Sequence, residues 1–409
     1  MITPSFSLTA TERVLPSMAL DFTTGALDSR VTFTRSTTGT FINSTGVLTT
    51  AAINAPRFDY NPTTFAPLGL LIEESRTNNL VNSEDLAAAT NGAPINVTIT
   101  SNATNFIDGN LVADQVLETA VTGIHAQDLN GVNFVSGTAY TFSIFLKSIN
   151  GRNCSLFMPA VVFTGRQANF DLTNGVVLAA ASGVTATITN YGNGWYRCSI
   201  SEVCAVTAGA RPTYILFNGA TSYAGDVTKG VFICGYQLEA GAFPTSYIKT
   251  AASTVTRTAD VASMTSTNFS SWYTATAGAA VVWSIPQTAT GTRPLIQFDD
   301  TTALEIITLR GNVANPEMFI VDGGVTQAQI DAGTIVANTA YKLSGAWNTN
   351  DCAAAKDGAA VVTDNTATIP TPTQLRIGSD GTNYASAWVQ KILYYPQRII
   401  NAEVQAFSK

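Results

Sequence analysis

Residue types that serve hydrolytic catalysis are scarce in this chain of 409 residues. Its one histidine, His125, would have to serve any Ser–His–Asp triad, and no G-x-S-x-G segment supplies a nucleophile. Glycoside hydrolysis instead needs two carboxyl groups about 5–10 Å apart. Adjacent acids on one strand point to opposite faces, which argues against Glu73 with Glu74, Glu84 with Asp85 and Asp299 with Asp300, and Glu239 is a further single candidate. The sequence therefore predicts a protein that is not an enzyme, with a polysaccharide depolymerase as the weaker alternative.

Metal ligands are equally sparse. A zinc site needs closely spaced Cys or His ligands, and the five cysteines are irregularly spaced without a CxxC: Cys154, Cys198, Cys204, Cys234 and Cys352. We expect these cysteines to be buried free thiols. Calcium prefers hard oxygen ligands, and the loop acids that could supply them are Asp108, Asp114, Asp128 and Asp226. No D-x-D-x-D-G loop occurs, so no metal site and no cofactor are predicted, and calcium stays open.

Glycan binding needs exposed aromatic rings, because sugar faces stack on them, with polar partners for the hydroxyls nearby. Aromatic residues close to turns are the surface candidates, and they are Tyr223, Trp272, Tyr273 and Tyr384. Trp195 lies in an alternating pattern and is expected in a core. The alternative for each candidate is an ordinary place in a core or a subunit contact.

Charge excludes some partners. The net charge is −7 and no run of four basic residues occurs, so nucleic-acid binding through phosphate neutralisation is disfavoured.

No apolar run approaches the roughly 18–20 residues of a membrane helix, and no membrane insertion is expected. The N-terminal stretch lacks a basic segment followed by an apolar one, so we expect no signal peptide.

Strand patterns dominate the chain. Residues 140–147 read YTFSIFLK, with apolar side chains alternating along one face. Asn-Gly pairs, which suit hairpin turns, punctuate these runs at positions 130–131, 150–151 and 174–175. Short strands without a long helical period predict an all-β fold of sandwich or jelly-roll type.

The predicted organisation is a pair of tandem β-sandwiches after an extended N-terminal arm. Residues 1–80 form the arm, 81–250 the first sandwich, 251–268 a connector and 269–409 the second sandwich. The arm holds apolar side chains that need cover, and these predicted interface residues are Phe58, Tyr60, Phe65, Leu70 and Ile72. We expect another chain to cover them, so that deletion of residues 1–80 would leave soluble sandwiches.

Residues 20–76 carry FTRS at 33–36, PRFDY at 56–60 and GLLIE at 69–73. This segment resembles the N-terminal segment of many bacteriophage structural proteins, including tail fibres, head fibres and spikes. Residues 82–260 are similar to the carbohydrate-binding-module-like jelly rolls of phage particles, through pieces such as GWYR at 194–197 and PTSYI at 244–248. Tyr236 departs from that pattern, which has a small residue before Gln-Leu-Glu.

Residues 270–409 resemble a concanavalin A-like lectin domain of the laminin-G type. The pieces that carry the likeness are LSGAW at 343–347, a KDG hairpin at 356–358 and LRIG at 375–378.

The resemblance implies a virion structural protein that is made in the host cytoplasm and attached to the particle through residues 1–80. It also implies a homotrimer, contact with other virion proteins and adhesion to host surface polysaccharide. The alternative is a dedicated receptor-binding protein that recognises a glycan.

Overall fold

The structure, a computed structural model, describes residues 15–409. These residues form 34 strands, one 3₁₀ helix at Phe22–Thr24, and two short α-helices, α1 (Thr267–Ser270) and α2 (Asn401–Phe407). Neither α-helix is long and apolar enough to cross a membrane.

The strands of the N-terminal part are β1 (Met18–Asp21), β2 (Thr32–Thr34), β3 (Gly39–Ile42), β4 (Leu48–Ala51), β5 (Phe58–Tyr60), β6 (Pro67–Ile72) and β7 (Arg76–Asn78). Those of the middle part are β8 (Val97–Asn105), β9 (Leu111–Glu118), β10 (Thr122–Ile124), β11 (Ala126–Asp128), β12 (Val132–Phe134), β13 (Ala139–Ile149), β14 (Asn153–Phe157), β15 (Gln167–Asp171), β16 (Val176–Ala180), β17 (Thr185–Asn190), β18 (Trp195–Val203), β19 (Ala208–Ala210), β20 (Thr213–Phe217), β21 (Ser222–Ala224) and β22 (Gly230–Ala240). Those of the C-terminal part are β23 (Val255–Arg257), β24 (Val261–Thr265), β25 (Ala277–Pro286), β26 (Thr292–Asp299), β27 (Ile306–Asn312), β28 (Asn315–Asp322), β29 (Val325–Asp331), β30 (Tyr341–Asn348), β31 (Cys352–Lys356), β32 (Val362–Asp364), β33 (Gln374–Ile377) and β34 (Ala387–Tyr395).

The first sandwich packs a six-stranded antiparallel sheet, in the order β17-β18-β13-β22-β9-β8, against a five-stranded sheet, in the order β11-β20-β14-β15-β16. Alternate residues of β13, namely Phe142, Ile144 and Leu146, are fully buried in the core between the sheets. The predicted alternation is therefore confirmed.

The second sandwich packs an eight-stranded sheet, in the order β32-β31-β30-β25-β34-β6-β5 with β1 also on β34, against a seven-stranded sheet, in the order β2-β24-β33-β26-β27-β28-β29. Its core holds Phe298, Met318, Trp347 and Tyr394, all with no exposed surface. Two tandem β-sandwiches are therefore present, and the predicted all-β fold class is confirmed.

The predicted extended arm needs correction, because its strands belong to the second sandwich. Strand β1 pairs with β34, β2 pairs with β24, and β6 pairs with β34. Leu70 and Ile72 lie opposite Val389 and Ala387 and are completely buried. The expectation that another chain must cover Leu70 and Ile72 is wrong, since residues 269–409 of the same chain cover them.

The other three predicted interface residues differ in exposure. Phe58 is half-buried against the core of the second sandwich. Tyr60 is half-buried, and Phe65 is 50% exposed at the tip of the loop between β5 and β6. Only Phe65 therefore presents a large apolar surface to an outside partner. The attachment role of residues 1–80 stays a prediction, and residues 1–14 lie outside the described part.

The hairpin of β3 and β4 contacts the first sandwich. The amide of Leu48 donates to the carbonyl of Ile107 over 3.1 Å, and Thr40 Oγ1 donates to the carbonyl of Tyr247 over 2.5 Å. Strands β7 and β23 pair with each other at the junction. The N-terminal segment therefore joins the two sandwiches.

A buried ion network fixes this junction. Arg57 donates to Glu73 over 2.7 Å and also pairs with Asp260, which in turn lies 3.0 Å from Arg35. Arg257 lies 3.4 Å from Glu73. All five side chains are at most 1% exposed. Burial opposes ionisation of Glu73, but Arg257 and Arg57 outweigh it and hold the pKa of this carboxyl well below its usual value.

Candidate functional site

A cleft of about 960 Å³ lies between the two sandwiches. Its floor is the outer face of the six-stranded sheet. Strand β18 alternates, so that Cys198 and Ile200 point into the core of the first sandwich while Arg197, Ser199 and Ser201 line the cleft. Because the side chains of β18 alternate between its two faces, the face toward the cleft is polar while the face toward the core is apolar.

Hydroxyl groups cover this floor. Thr187 lies opposite Ser199, with their hydroxyl oxygens 2.6 Å apart. Thr141 and Ser201 form a similar pair at 2.6 Å. At the open edge, Thr185 and Thr189 of β17 also line the cleft and are exposed. The floor thus presents hydroxyls that both donate and accept hydrogen bonds.

The facing wall is built by the second sandwich and its N-terminal strands. Trp388 on β34 donates its indole N–H to Asp59 on β5 over 2.8 Å, and the amide of Ile42 donates to the same carboxylate over 2.6 Å. Trp388 is half-buried and lines the cleft. Burial raises the pKa of Asp59 to about 6, although the hydrogen bonds from Ile42 and Trp388 oppose the rise.

The cleft combines aromatic rings with side-chain amides. Seven aromatic residues are among those that line it: Phe41, Tyr60, Phe145, Tyr191, Phe243, Tyr247 and Trp388. The amides are Asn61, Gln287 and Asn338. Apolar ring faces beside paired donors and acceptors are the composition expected of a site for a polyhydroxylated ligand.

Arg197 and Asp59 are the charged side chains among the described residues that line the cleft. Arg197 is 7% exposed and donates to the carbonyl of Thr245 over 2.6 Å and to Ser143 Oγ over 2.9 Å. Its guanidinium also lies 5.3 Å from the centre of the Phe145 ring. Both terminal nitrogens of Arg197 are therefore used inside the protein.

A second concavity of about 700 Å³ lies on the first sandwich. It is lined by Asp128, Arg166 and Arg211, and Phe157 is its one aromatic residue among the described lining. Because it lacks the facing aromatic wall of the inter-sandwich cleft, the cleft is the better candidate for a glycan site.

The four aromatic residues predicted to bind glycan are not brought together as an open platform. Trp272 is 6% exposed and Tyr273 is half-buried, and both pack in the core of the second sandwich. Tyr384 packs against the same core. The expectation that Trp272 lies at the surface is wrong, because the segment after α1 turns it inward against Phe269 and Tyr394. Glycan binding by the four residues stays a prediction.

Tyr223 belongs to a separate polar cluster. Its hydroxyl donates to Glu118 over 2.6 Å, and its ring stacks on His125 at 4.8 Å between centres. Arg152 pairs with Glu118 and lies 4.9 Å from the Tyr223 ring centre. Burial raises the pKa of Tyr223. Tyr223 and His125 are thus engaged within the first sandwich and do not line the cleft.

The loop acids considered for calcium each serve a local contact. Asp114 accepts from the amides of Leu86 and Asn102, and the others accept from residues close by: Asp108 from Asn110, Asp128 from Thr213 and Asp226 from Thr228. Among residues 15–409, no group of three or more His, Cys, Asp or Glu side chains is placed to hold a metal ion.

The candidate catalytic acids are also engaged. Glu74 pairs with Arg76 and Arg293, Glu84 with Lys249, and Asp299 with Arg376. Glu239 accepts from the amide and hydroxyl of Thr245. None of these acids lines the cleft.

Sequence reasoning missed Trp388 and Asp59. Asp59 lies within the PRFDY motif, and the resemblance that this motif helps to carry was the sequence signal that could have pointed to it. Nothing in the sequence pairs it with Trp388, because the two residues meet only after β5, β6 and β34 assemble side by side.

No family model matches the chain, and no curated protein matches it. Solved structures do resemble it. The CBM40 module of a Ruminococcus gnavus IT-sialidase, bound to α2,3-sialyllactose, is 10% identical over 35% of this chain and 88% of its own, with a TM-score of 0.30. Mouse laminin α1 domains LG4-5 are 7% identical over 69% of this chain and 88% of their own, with a TM-score of 0.24.

Trypanosoma rangeli sialidase is 12% identical over 72% of this chain and 60% of its own, with a TM-score of 0.27. Likenesses at these identities and TM-scores carry no argument about what this chain does. The two-sandwich architecture rests on the strands and sheets described above.

Proposed function

We propose that this chain is a non-enzymatic glycan-binding protein whose ligand lies in the cleft between the two sandwiches. The observation that carries the proposal is the arrangement of the cleft: a floor of threonine and serine hydroxyls on β17 and β18 opposite a wall that includes Trp388. A sugar presents an apolar ring face and a rim of hydroxyls, and both find complementary groups here.

Rigidity of the cleft supports binding. The hydroxyl pairs Thr187 with Ser199 and Thr141 with Ser201 hold the floor groups in fixed orientations. The buried ion network around Glu73 reaches the first sandwich beside the cleft, because the amide and hydroxyl of Ser246 donate to Glu73 over 2.8 and 2.7 Å. A preformed site avoids the entropy cost of ordering on binding.

The acids of the chain favour binding over hydrolysis. A glycosidase positions two carboxyl groups about 5–10 Å apart across the scissile bond. Asp59 is the one carboxylate among the described residues that line the cleft, and it accepts hydrogen bonds from Ile42 and Trp388. Binding without cleavage is therefore the proposed activity.

Placement in a bacteriophage virion, as a homotrimeric fibre, spike or head decoration that adheres to host polysaccharide, is a second proposal. It is supported by the resemblance of residues 20–76 and 82–260 to phage structural segments. Mass spectrometry and antibody labelling of purified particles would test it. The chain should be present at a fixed copy number per particle, and its absence from intact particles would remove this proposal without touching the cleft.

The cleft proposal is tested by screening the full chain against an array of bacterial and host glycans, followed by calorimetric titration of the best ligand. Trp388→Ala should weaken binding by up to about tenfold, because an aromatic stacking contact contributes about 0.5–1.5 kcal/mol and each step of about 1.4 kcal/mol is a factor of ten in affinity. Trp283→Ala is the matched control, since Trp283 is half-buried on the neighbouring strand β25 but does not line the cleft.

Equal affinity of both tryptophan variants would place the ligand elsewhere. Absence of any ligand on the array would contradict glycan binding itself. Release of new reducing ends from the bound glycan would contradict the non-enzymatic part of the proposal.

A further inference from the structure

The charges of the cleft indicate which glycans it takes. We infer that the ligand is an uncharged oligosaccharide, and that glycans carrying carboxylate or sulfate groups are excluded. This inference rests on the proposed glycan-binding function and deepens it.

The first step concerns Arg197, the one cation among the described residues that line the cleft. A sugar carboxylate is best held by an arginine fork with two free donors. Arg197 has its two terminal nitrogens committed to the carbonyl of Thr245 and the hydroxyl of Ser143, and its guanidinium packs on Phe145. The Nε–H of Arg197 has no hydrogen-bond partner among the described residues but is buried. With only 7% of its surface exposed, Arg197 therefore presents no accessible fork to a ligand.

The second step concerns Asp59, the one anionic side chain lining the cleft within residues 15–409. Asp59 is 8% exposed, and its two oxygens accept from Ile42 and from Trp388, the aromatic residue on which a sugar would stack. An ionised Asp59 repels a ligand carboxylate at this wall. Binding would also move the ligand carboxylate out of water, which costs free energy. Neither Asp59, which has the same charge, nor Arg197, which is already engaged, would offset that cost.

The third step concerns what the cleft does offer. Its remaining polar groups are uncharged hydroxyls and amides, including Thr187, Ser199, Asn61 and Gln287. These groups can form hydrogen bonds with sugar hydroxyls without burying any charged group. A volume of about 960 Å³ is at the upper end of small-ligand sites, so the site accommodates several sugar units.

The experiment compares neutral and acidic oligosaccharides of similar length by calorimetric titration into the full chain. The neutral probes are short chains of glucose, galactose or mannose, and the acidic probes are oligogalacturonates and sialylated oligosaccharides. At least one neutral probe should bind roughly tenfold or more tightly than every acidic probe. Added salt should leave neutral binding unchanged, because screening acts only between charges.

A charge introduced into the cleft should reverse the exclusion. Thr189 is exposed, lines the cleft and lies opposite Arg197 on the neighbouring strand. Thr189→Lys should create salt-sensitive binding of the acidic probes. Thr98→Lys is the matched control, because Thr98 is exposed on β8 of the same sheet but does not line the cleft.

The outcomes separate the inference from the function beneath it. An acidic probe that binds the unmodified chain as tightly as the neutral ones, and loses affinity in Trp388→Ala, would overturn the uncharged ligand while leaving the cleft as a glycan site. Binding of neither class would overturn both. Equal gains from Thr189→Lys and Thr98→Lys would show nonspecific attraction and would also count against the inference.

Discussion

Trp388 donates its indole N–H to Asp59 over 2.8 Å, although 329 positions separate the two residues in the chain. The contact joins a strand near the N-terminus to the last strand of the second sandwich, and both residues line the cleft between the sandwiches. The wall of the proposed site is therefore built jointly by the two ends of the chain. We therefore expect the N-terminal segment to contribute both to folding and to the proposed binding.

Deletion of residues 1–80 should unfold the second sandwich, contrary to what the sequence alone suggests. The deletion removes β1, β2, β5 and β6 from its two sheets and leaves the groups that faced Leu70 and Ile72 exposed. Thermal unfolding followed by circular dichroism, together with limited proteolysis, measures this. A truncated chain in which residues 269–409 melt cooperatively and resist protease would contradict the fold assignment.

Leu70→Ala should lower the free energy of unfolding by about 2–5 kcal/mol, because it leaves a cavity at a fully buried site. Leu111→Ala is the control, since Leu111 is also in a strand but is 59% exposed and should change stability by no more than about 0.5 kcal/mol. Urea titration of both variants gives the comparison. Similar small losses in both would indicate that Leu70 is not in a closed core.

Glu73→Gln should destabilise the protein by about 3–5 kcal/mol, because it leaves Arg57 and Arg257 without one of their buried anionic partners. Asp28→Asn, which breaks the partly exposed pair with Arg30, should cost about 0–1 kcal/mol. Chemical unfolding near neutral pH tests the difference.

The same carboxyl predicts acid sensitivity. Because the pKa of Glu73 is lowered on folding, its ionised form contributes stability above its ordinary pKa of 4.5, and that contribution is lost as the pH falls below this value. Glu73→Gln should flatten this part of the acid dependence. An unchanged pH profile in the variant would show that the network does not hold Glu73 ionised.

Asp59 predicts the opposite slope. Its pKa rises from 3.8 to about 6 on folding, so the folded protein holds this proton more tightly than the unfolded chain does. Its contribution to stability is complete below about pH 4 and is lost as the pH rises to about 6, by up to about 3 kcal/mol relative to Asp59→Asn. Unfolding free energies of both proteins across that range test this. Parallel curves would contradict the raised pKa.

Local pattern predicted a good part of the fold. The run at 140–147 lies within β13, and its alternating apolar residues do face the core, because the side chains of a strand alternate between its two faces whatever its neighbours are. The opposite face of β13 is buried too, at Ser143 and Phe145. The sequence of a strand does not show which other strand it will pair with. Strand β6 pairs with β34, which is distant in the sequence, and for this reason the pattern alone predicts that another chain covers Leu70 and Ile72.

The site was harder to predict for a related reason. Nearness to a turn was a poor guide to exposure, as the buried Trp272 shows. Trp388 and Ser199 each follow an unremarkable strand pattern, and only the packing of one sandwich beside the other places them in the same cleft.

Hydrogen exchange followed by mass spectrometry, with and without the glycan found on the array, tests the central claim most directly. Binding should slow exchange in Thr185–Asn190, Trp195–Val203 and the peptide that contains Trp388, because these segments form the floor and wall of the cleft. Protection confined to the peptides around Arg166 and Arg211 would place the ligand in the second concavity and contradict the account.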